Sequence, residues 1–170
     1  SGLHWTRKTI KMAVASLTIG SASSAILLTN ESNSSTGNRL CTAIAHANTQ
    51  HHTLCQSGKD EAVADNMKPF MNTDSETLMA RGIEAGVSTF DRFLAESNWT
   101  RSDIDKTVCH QVGSGHRKLM LESLGLQPEM DSTTFQWLGN TGSAALPVTW
   151  AIAAKENEIE SADKLALLGI

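Results

Sequence analysis

Apolar positions along the chain switch between two rhythms. Leu78, Ile83, Val87, Phe90 and Leu94 recur at steps of three to five residues, the spacing of one buried helix face. Asp74 or Ser75 stands where an N-cap belongs, so a helix is predicted from there to about Ser97. Gly82 and Gly86 on it predict close approach to a neighbouring element. Further on, "IDKTVCH" (104–110) reads as a strand, "GHRKLMLESLG" (115–125) as a helix ended by Gly125, and "TTFQWL" (133–138) as a strand. "GSAALPVTWAIAAKEN" (142–157) reads as a helix after Pro147, and "DKLALLGI" (163–170) as a buried strand introduced by two charges. Before the long helix, "AVASLTI" (13–19) and "SAILLT" (24–29) form two apolar strand-like pieces around a Gly20-Ser21 turn. "NESNSSTGN" (30–38) is a loop, "LCTAIAHA" (40–47) alternates like a strand, and residues 48–66 make a long polar connection. Alternating β and α elements imply one α/β domain over residues 1–170, with a sheet covered on both faces.

Composition narrows the possibilities. A chain of 170 residues that is 40% hydrophobic can bury about 70% of its unfolded surface, which excludes a disordered or fibrous chain. Eighteen acidic against fourteen basic residues give a net charge of −4, which argues against a broad nucleic-acid footprint. Arg7, Lys8 and Lys11 precede the uncharged run 12–30 in the manner of a signal peptide. The run is too rich in Ser and Thr for an apolar signal core, and too short and polar for a membrane span. Cysteines stand at 41, 55 and 109 with no CxxC pair, so no disulfide framework or zinc ribbon is expected, and a reducing cytoplasmic setting fits. Cys41 and Cys109 read as small buried hydrophobes. The first residue is Ser1 and the last apolar run has no following turn, so both ends are expected to be truncated.

Two side chains stand out as candidate chemistry. His110 ends the strand "TVCH", and Asn140 lies in "LGNTG" between a predicted strand and a helix, where α/β folds place their sites. A neutral imidazole N–H and a carboxamide NH₂ are donors that can converge on one developing oxyanion, while Gly139 and Gly142 let backbone approach a ligand. On residue type alone, a structural and a catalytic histidine both remain open at position 110. His46, His51, His52 and Cys55 have no standard zinc spacing and sit in a polar segment, so no metal is expected. Asp60, Glu61 and Asp65 read as a solvated face, and Trp137 and Trp150 as core or pocket wall. "GSGH" (113–116) is short for a phosphate loop, though its amides open a helix.

"CHQVGSGH" (109–116), followed about thirty residues later by "LGNTGSAALP" (138–147) and then by "DKLALLGI", resembles the C-terminal half of ketoacyl-ACP synthase III enzymes of the thiolase-like superfamily. "ASLTIGSASSAILLT" (15–29) looks like the strand-turn-strand that opens this half. Residues 71–99 resemble most the subgroup that joins two acyl chains head to head in hydrocarbon synthesis. The resemblance implies a layered α-β-α-β-α fold, of which this chain is one half lacking its last hairpin strand, and an assembly, a homodimer in the family, in which another copy or the missing N-terminal half covers the exposed sheet and helix surfaces. It implies that His110 and Asn140 are the catalytic pair that stabilises the thioester enolate and oxyanion during Claisen condensation. Gln111 would fix the strand end, and Gly139 and Thr141 would shape the loop that carries Asn140. Val112 and Gly113 stand where the family has Ala and Asn, altering the pantetheine contacts, and Leu138 replaces an often aromatic wall residue. Acyl-CoA and acyl carrier protein thioesters would be the substrates, with no further cofactor. The family's Cys nucleophile belongs to the N-terminal half. Cys109 cannot stand in for it, because adjacent strand side chains point to opposite faces. The chain alone would then be inert and, lacking the other half, poorly stable. The other role open to it is that of a non-catalytic thiolase-like partner or dimer scaffold.

Overall fold

The computed structural model describes Thr6, Ile10 and residues 17–57, 71–110 and 112–169. The order of elements is β1 (Cys55–Ser57), β2 (Met71–Thr73), α1 (Ser75–Ser97), β3 (Lys106–Cys109), α2 (Ser114–Leu124), α3 (Phe135–Leu138), α4 (Ala145–Lys155) and β4 (Leu165–Leu168). β1 and β2 form a small antiparallel ladder that leads directly into α1. β3 and β4 pair in parallel, with Lys106 opposite Leu165 and Cys109 opposite Leu168.

α1 follows the predicted boundaries. The Asp74 carboxylate accepts the Thr77 backbone N–H (3.2 Å) and hydroxyl (2.9 Å), closing the first turn. Those bonds favour the charged form and hold the carboxyl below its ordinary range. At the other end Asn98 adopts a left-handed conformation (φ 55°), which lets the Trp99 N–H return to Leu94 O. The stripe on α1 buries Phe90 and Leu94 against Ile104, Cys109, Met120, Leu121, Leu124, Leu126 and Ala166. A methyl at Gly86 would stand 3.2 Å from Met120 Sδ, so glycine brings α1 close to α2.

Cys109 and Ala166 share the sheet face under α1 and α2. Val108 points to the opposite side and is fully buried, and α4 packs on β3. The inner face of α4 is Ala145, Thr149 and Ala153, spaced four apart and small enough for close approach. Thr149 and Thr134 share a 2.7 Å hydroxyl hydrogen bond that anchors the segment before α3. The start of the sheet is fixed by Asp105 and Lys164, whose backbone N–H groups donate to Lys164 O and the Asp105 carboxylate.

Several predicted strands are absent. Residues 13–16 and the acidic stretch 60–65 lie outside the described residues. Ile19 makes a single bridge to Asn140, but 24–29 and 40–47 have no regular structure. A strand exists only with a partner to take its backbone bonds, and these segments find none among the described residues. Leu27 is 85% exposed as a result. "TTFQWL" is a helical turn rather than a strand, because Leu138 N–H and Gly139 N–H close onto Thr134 O and Phe135 O. Short apolar runs of this length carry either reading. Trp137, expected in a wall, is exposed there, and Cys41, expected in the core, is exposed on its unpaired segment. Among the described residues no helix is long and apolar enough to cross a membrane.

Leu121 is the largest fully enclosed side chain. Leu121→Ala is expected to destabilise the fold by about 2–5 kcal/mol in urea unfolding, because the surrounding helices cannot collapse onto the cavity.

Candidate active site

His110 follows the last residue of β3, and its backbone N–H donates to Leu168 O at 2.9 Å, so the parallel ladder fixes where the imidazole starts. A carboxylate holds the strand end from the other side. Asp131 is enclosed and accepts the Thr107 hydroxyl (2.9 Å), the Cys109 N–H (2.9 Å) and Arg117 Nε (2.6 Å). Arg117 also donates to Pro128 O and Asp131 O, both at 2.8 Å. The first turn of α2, the end of β3 and the 128–131 turn are thereby joined around one buried ion pair.

His110 and His116 line the same broad cleft of ≈ 2050 Å³, which runs between α1, β4 and the 40–46 segment. Burial disfavours the imidazolium form of both, and His116 is further depressed by the neighbouring His110. Both rings are therefore neutral near pH 7, each with one donor and one acceptor nitrogen. The His116 Nδ1 is sealed from solvent and has no hydrogen-bond partner among the described residues.

Asn140 is held on a different platform. Its N–H donates to Thr18 O and its carbonyl accepts from Gly20 N–H, both at 2.8 Å, a parallel bridge to the segment around Ile19. The side-chain Oδ1 accepts Gly142 N–H at 2.9 Å, so the carboxamide oxygen is fixed and the NH₂ is the end left for a ligand. Two glycines allow this approach. Gly139 has φ 68°, and a methyl there would stand 2.6 Å from Thr18 O; one at Gly20 would run into Leu138 O. Thr141 precedes the 3-10 turn Gly142–Ala144, which leads into α4.

The cleft that takes in both histidines does not extend to Asn140, so the described residues present the two predicted donors from separate supports. Asn140 also follows a helical turn, not the expected strand. Gln111 lies outside the described residues. Gly113 is the N-cap of α2, in extended backbone and open surroundings that do not demand glycine. Cys109 is buried as expected, and desolvation, with Asp131 nearby, pushes its thiol far above the ordinary range, the opposite of an activated nucleophile. Among the described residues no group of three or more His, Cys, Asp or Glu is placed to hold a metal. The sequence reading missed Asp131 and Arg117, because an acid in "PEMDS" and a base in a helix give no sign of mutual burial. His116 was placed at the start of a helix, with no role for its side chain.

Residues 94–170 match the 3-Oxoacyl-[acyl-carrier-protein (ACP)] synthase III C terminal family. An acyl-CoA:acyl-CoA alkyltransferase of Shewanella oneidensis is 39% identical over 97% of this chain and 48% of the relative, so the chain spans about half that relative's length. Among solved structures, 3-oxoacyl-(acyl carrier protein) synthase III from Xanthomonas oryzae superposes with a TM-score of 0.64 at 28% identity, over 74% of this chain and 34% of that one. Cerulenin-bound OleA from Xanthomonas campestris superposes with a TM-score of 0.74 at 21% identity, over 99% of this chain and 46% of that one, a likeness of fold. The expected thiolase-like α/β fold is thus found, although fewer of its strands are paired here than the sequence predicts.

Removing the Asp131 carboxylate strands Arg117 and the Cys109 N–H. Asp131→Ala is expected to cost about 3 kcal/mol in denaturant unfolding, the lower end for a broken buried pair because Arg117 is a quarter exposed. Asp131→Leu combined with Arg117→Met should recover part of that loss. A proton titration by NMR should find His110 and His116 below the ordinary 6.5. Between 6.5 and those lower values the unfolded chain binds more protons than the folded one. Stability should therefore fall as pH drops through that window and level off beneath it, read as the unfolding midpoint against pH.

Proposed function

We propose that this chain, whose residues 94–170 match the 3-oxoacyl-[acyl-carrier-protein] synthase III C-terminal family, supplies His110 and Asn140 to a site for Claisen condensation of acyl thioesters. The observation that carries the reading is a neutral, desolvated His110 at the end of β3, paired in motif with an Asn140 whose carboxamide oxygen is already engaged. Each then offers an N–H to one oxyanion. In this reading the enolate of one thioester, formed by loss of CO₂ from a malonyl group or of an α-proton to a base outside this chain, attacks the carbonyl of another acyl group held on a Cys outside this chain, forming the carbon–carbon bond and expelling the Cys thiolate. In this reading His110 and Asn140, brought together in the complete protein, stabilise the oxygen on which negative charge develops. Gly139 and Thr141 shape the Asn140 loop, Gln111 fixes the strand end after His110, and both Gln111 and Gly113 are assigned to substrate binding.

The substrates in this reading are acyl-CoA and acyl carrier protein thioesters, and similarity to an acyl-CoA:acyl-CoA alkyltransferase favours acyl-CoA on both sides of the reaction. The exposed apolar row Ile26, Leu27, Leu28 and Leu40 supports coverage by the rest of the subunit and by a second copy in a homodimer. Three free thiols suit a cytoplasmic setting. Without the outside Cys, this chain alone would be inactive.

The test is condensation by the full-length protein, assayed with acyl-CoA alone and with acyl-CoA plus malonyl-ACP, beside His110→Ala and Asn140→Ala. Product in the wild type and a loss of about 10²–10³-fold in each variant are expected. Folded protein with no product in either assay would overturn the reading in favour of a non-catalytic thiolase-like partner or scaffold.

A further inference from the structure

His116 is the third residue of α2 and shares the wall of the cleft with His110. Its Nδ1 is sealed from solvent and has no hydrogen-bond partner among the described residues, while the residue itself is half-buried and lines the cleft. A doubly protonated ring would leave an N–H buried without an acceptor, and a neighbouring His110 adds to the cost of charge. Of the two neutral tautomers, a proton on Nδ1 would orphan a buried donor, while a bare Nδ1 forgoes only an acceptor's bond, the more tolerable loss. On these grounds the proton is assigned to Nε2, the other ring nitrogen. Its placement is not loose either: Asp131 grips Arg117, the next residue along α2, and Cys109, the residue before His110. One carboxylate thus sets the spacing of the two imidazoles.

We propose that His116 is a third hydrogen-bond donor of this site, its Nε2–H directed to a carbonyl oxygen of the bound acyl thioester beside His110. The inference rests on the condensing-enzyme reading above and adds a residue that contacts substrate. A neutral donor suits a carbonyl, which asks for an N–H rather than a full positive charge, and it contributes binding to a ligand that brings an acceptor to that point of the cleft.

Two unreactive ligands separate this role from a packing role. An S-(2-oxoalkyl)-CoA keeps a ketone next to the sulfur-bearing carbon, and an S-alkyl-CoA of equal chain length has none. Calorimetric titration of the full-length protein is expected to show His116→Phe binding the ketone about tenfold more weakly and the S-alkyl compound within about twofold of wild type. His116→Gln, which keeps an N–H at similar reach, should hold the ketone within about threefold of wild type. In the wild type, ¹⁵N NMR should place the proton of His116 on Nε2 and show that resonance moving with the ketone but not with the S-alkyl ligand, a readout that needs no variant. Equal weakening of both ligands in His116→Phe, no weakening of either, or a proton on Nδ1 overturns the assignment of His116 while leaving the condensation reading intact. Failure of the wild type to bind either compound overturns both.

Discussion

A single enclosed carboxylate organises the chemistry-bearing end of this domain. Taking Asp131 out of water costs several kcal/mol unless its oxygens are filled. They are filled by a hydroxyl and an amide of β3 and by a guanidinium from the first turn of α2. None of these donors can move far without exposing the others to the same penalty. The strand end and the helix start are thus joined by this ion pair as well as by the apolar core that Cys109, Met120, Leu121 and Leu124 share. Asp131 also extends the ladder through its bridge to Thr107, so the same residue is part sheet edge and part counter-ion.

Around that anchor the layers follow from side-chain size. Phe90, Leu94 and Leu121 fill the space between α1, α2 and one face of the parallel pair, whereas the opposite face meets only Ala145, Thr149 and Ala153 of α4. Large residues set a thick layer and small residues a thin one. The burial that makes the core also disfavours the charged form of both histidines, and the same desolvation pushes the Cys109 thiol away from the reactive thiolate.

The parts of the fold readable from the chain are those whose stabilising contacts are close in sequence. α1 announces itself by period, by Asp74 and by an apolar stripe; β3 and β4 by short β-branched and leucine-rich runs between charges. Residues 24–29 and 40–47 have the composition of strands, yet a strand is completed by its neighbour, and composition cannot say whether a neighbour is there. Phe135 to Leu138 is too short for period to decide. For the site, His110 was legible because it ends a strand-like run, and Asn140 because it sits between glycines at an element boundary. Asp131 and Arg117 were not, since an ion pair fourteen residues apart leaves no trace until the chain folds. His116 was visible as a letter, but its sealed nitrogen is a property of packing.

The bridge from Ile19 to Asn140 and the bond from His110 N–H to Leu168 O both tie distant parts of the chain together, but they use different partners. Asn140 is seated by the backbone of Thr18 and Gly20, an early segment held between two glycines, whereas His110 is seated by the end of β4. Damage to the segment around Thr18 would therefore reach the asparagine while leaving the ladder under the histidine intact, and damage to β4 would do the reverse.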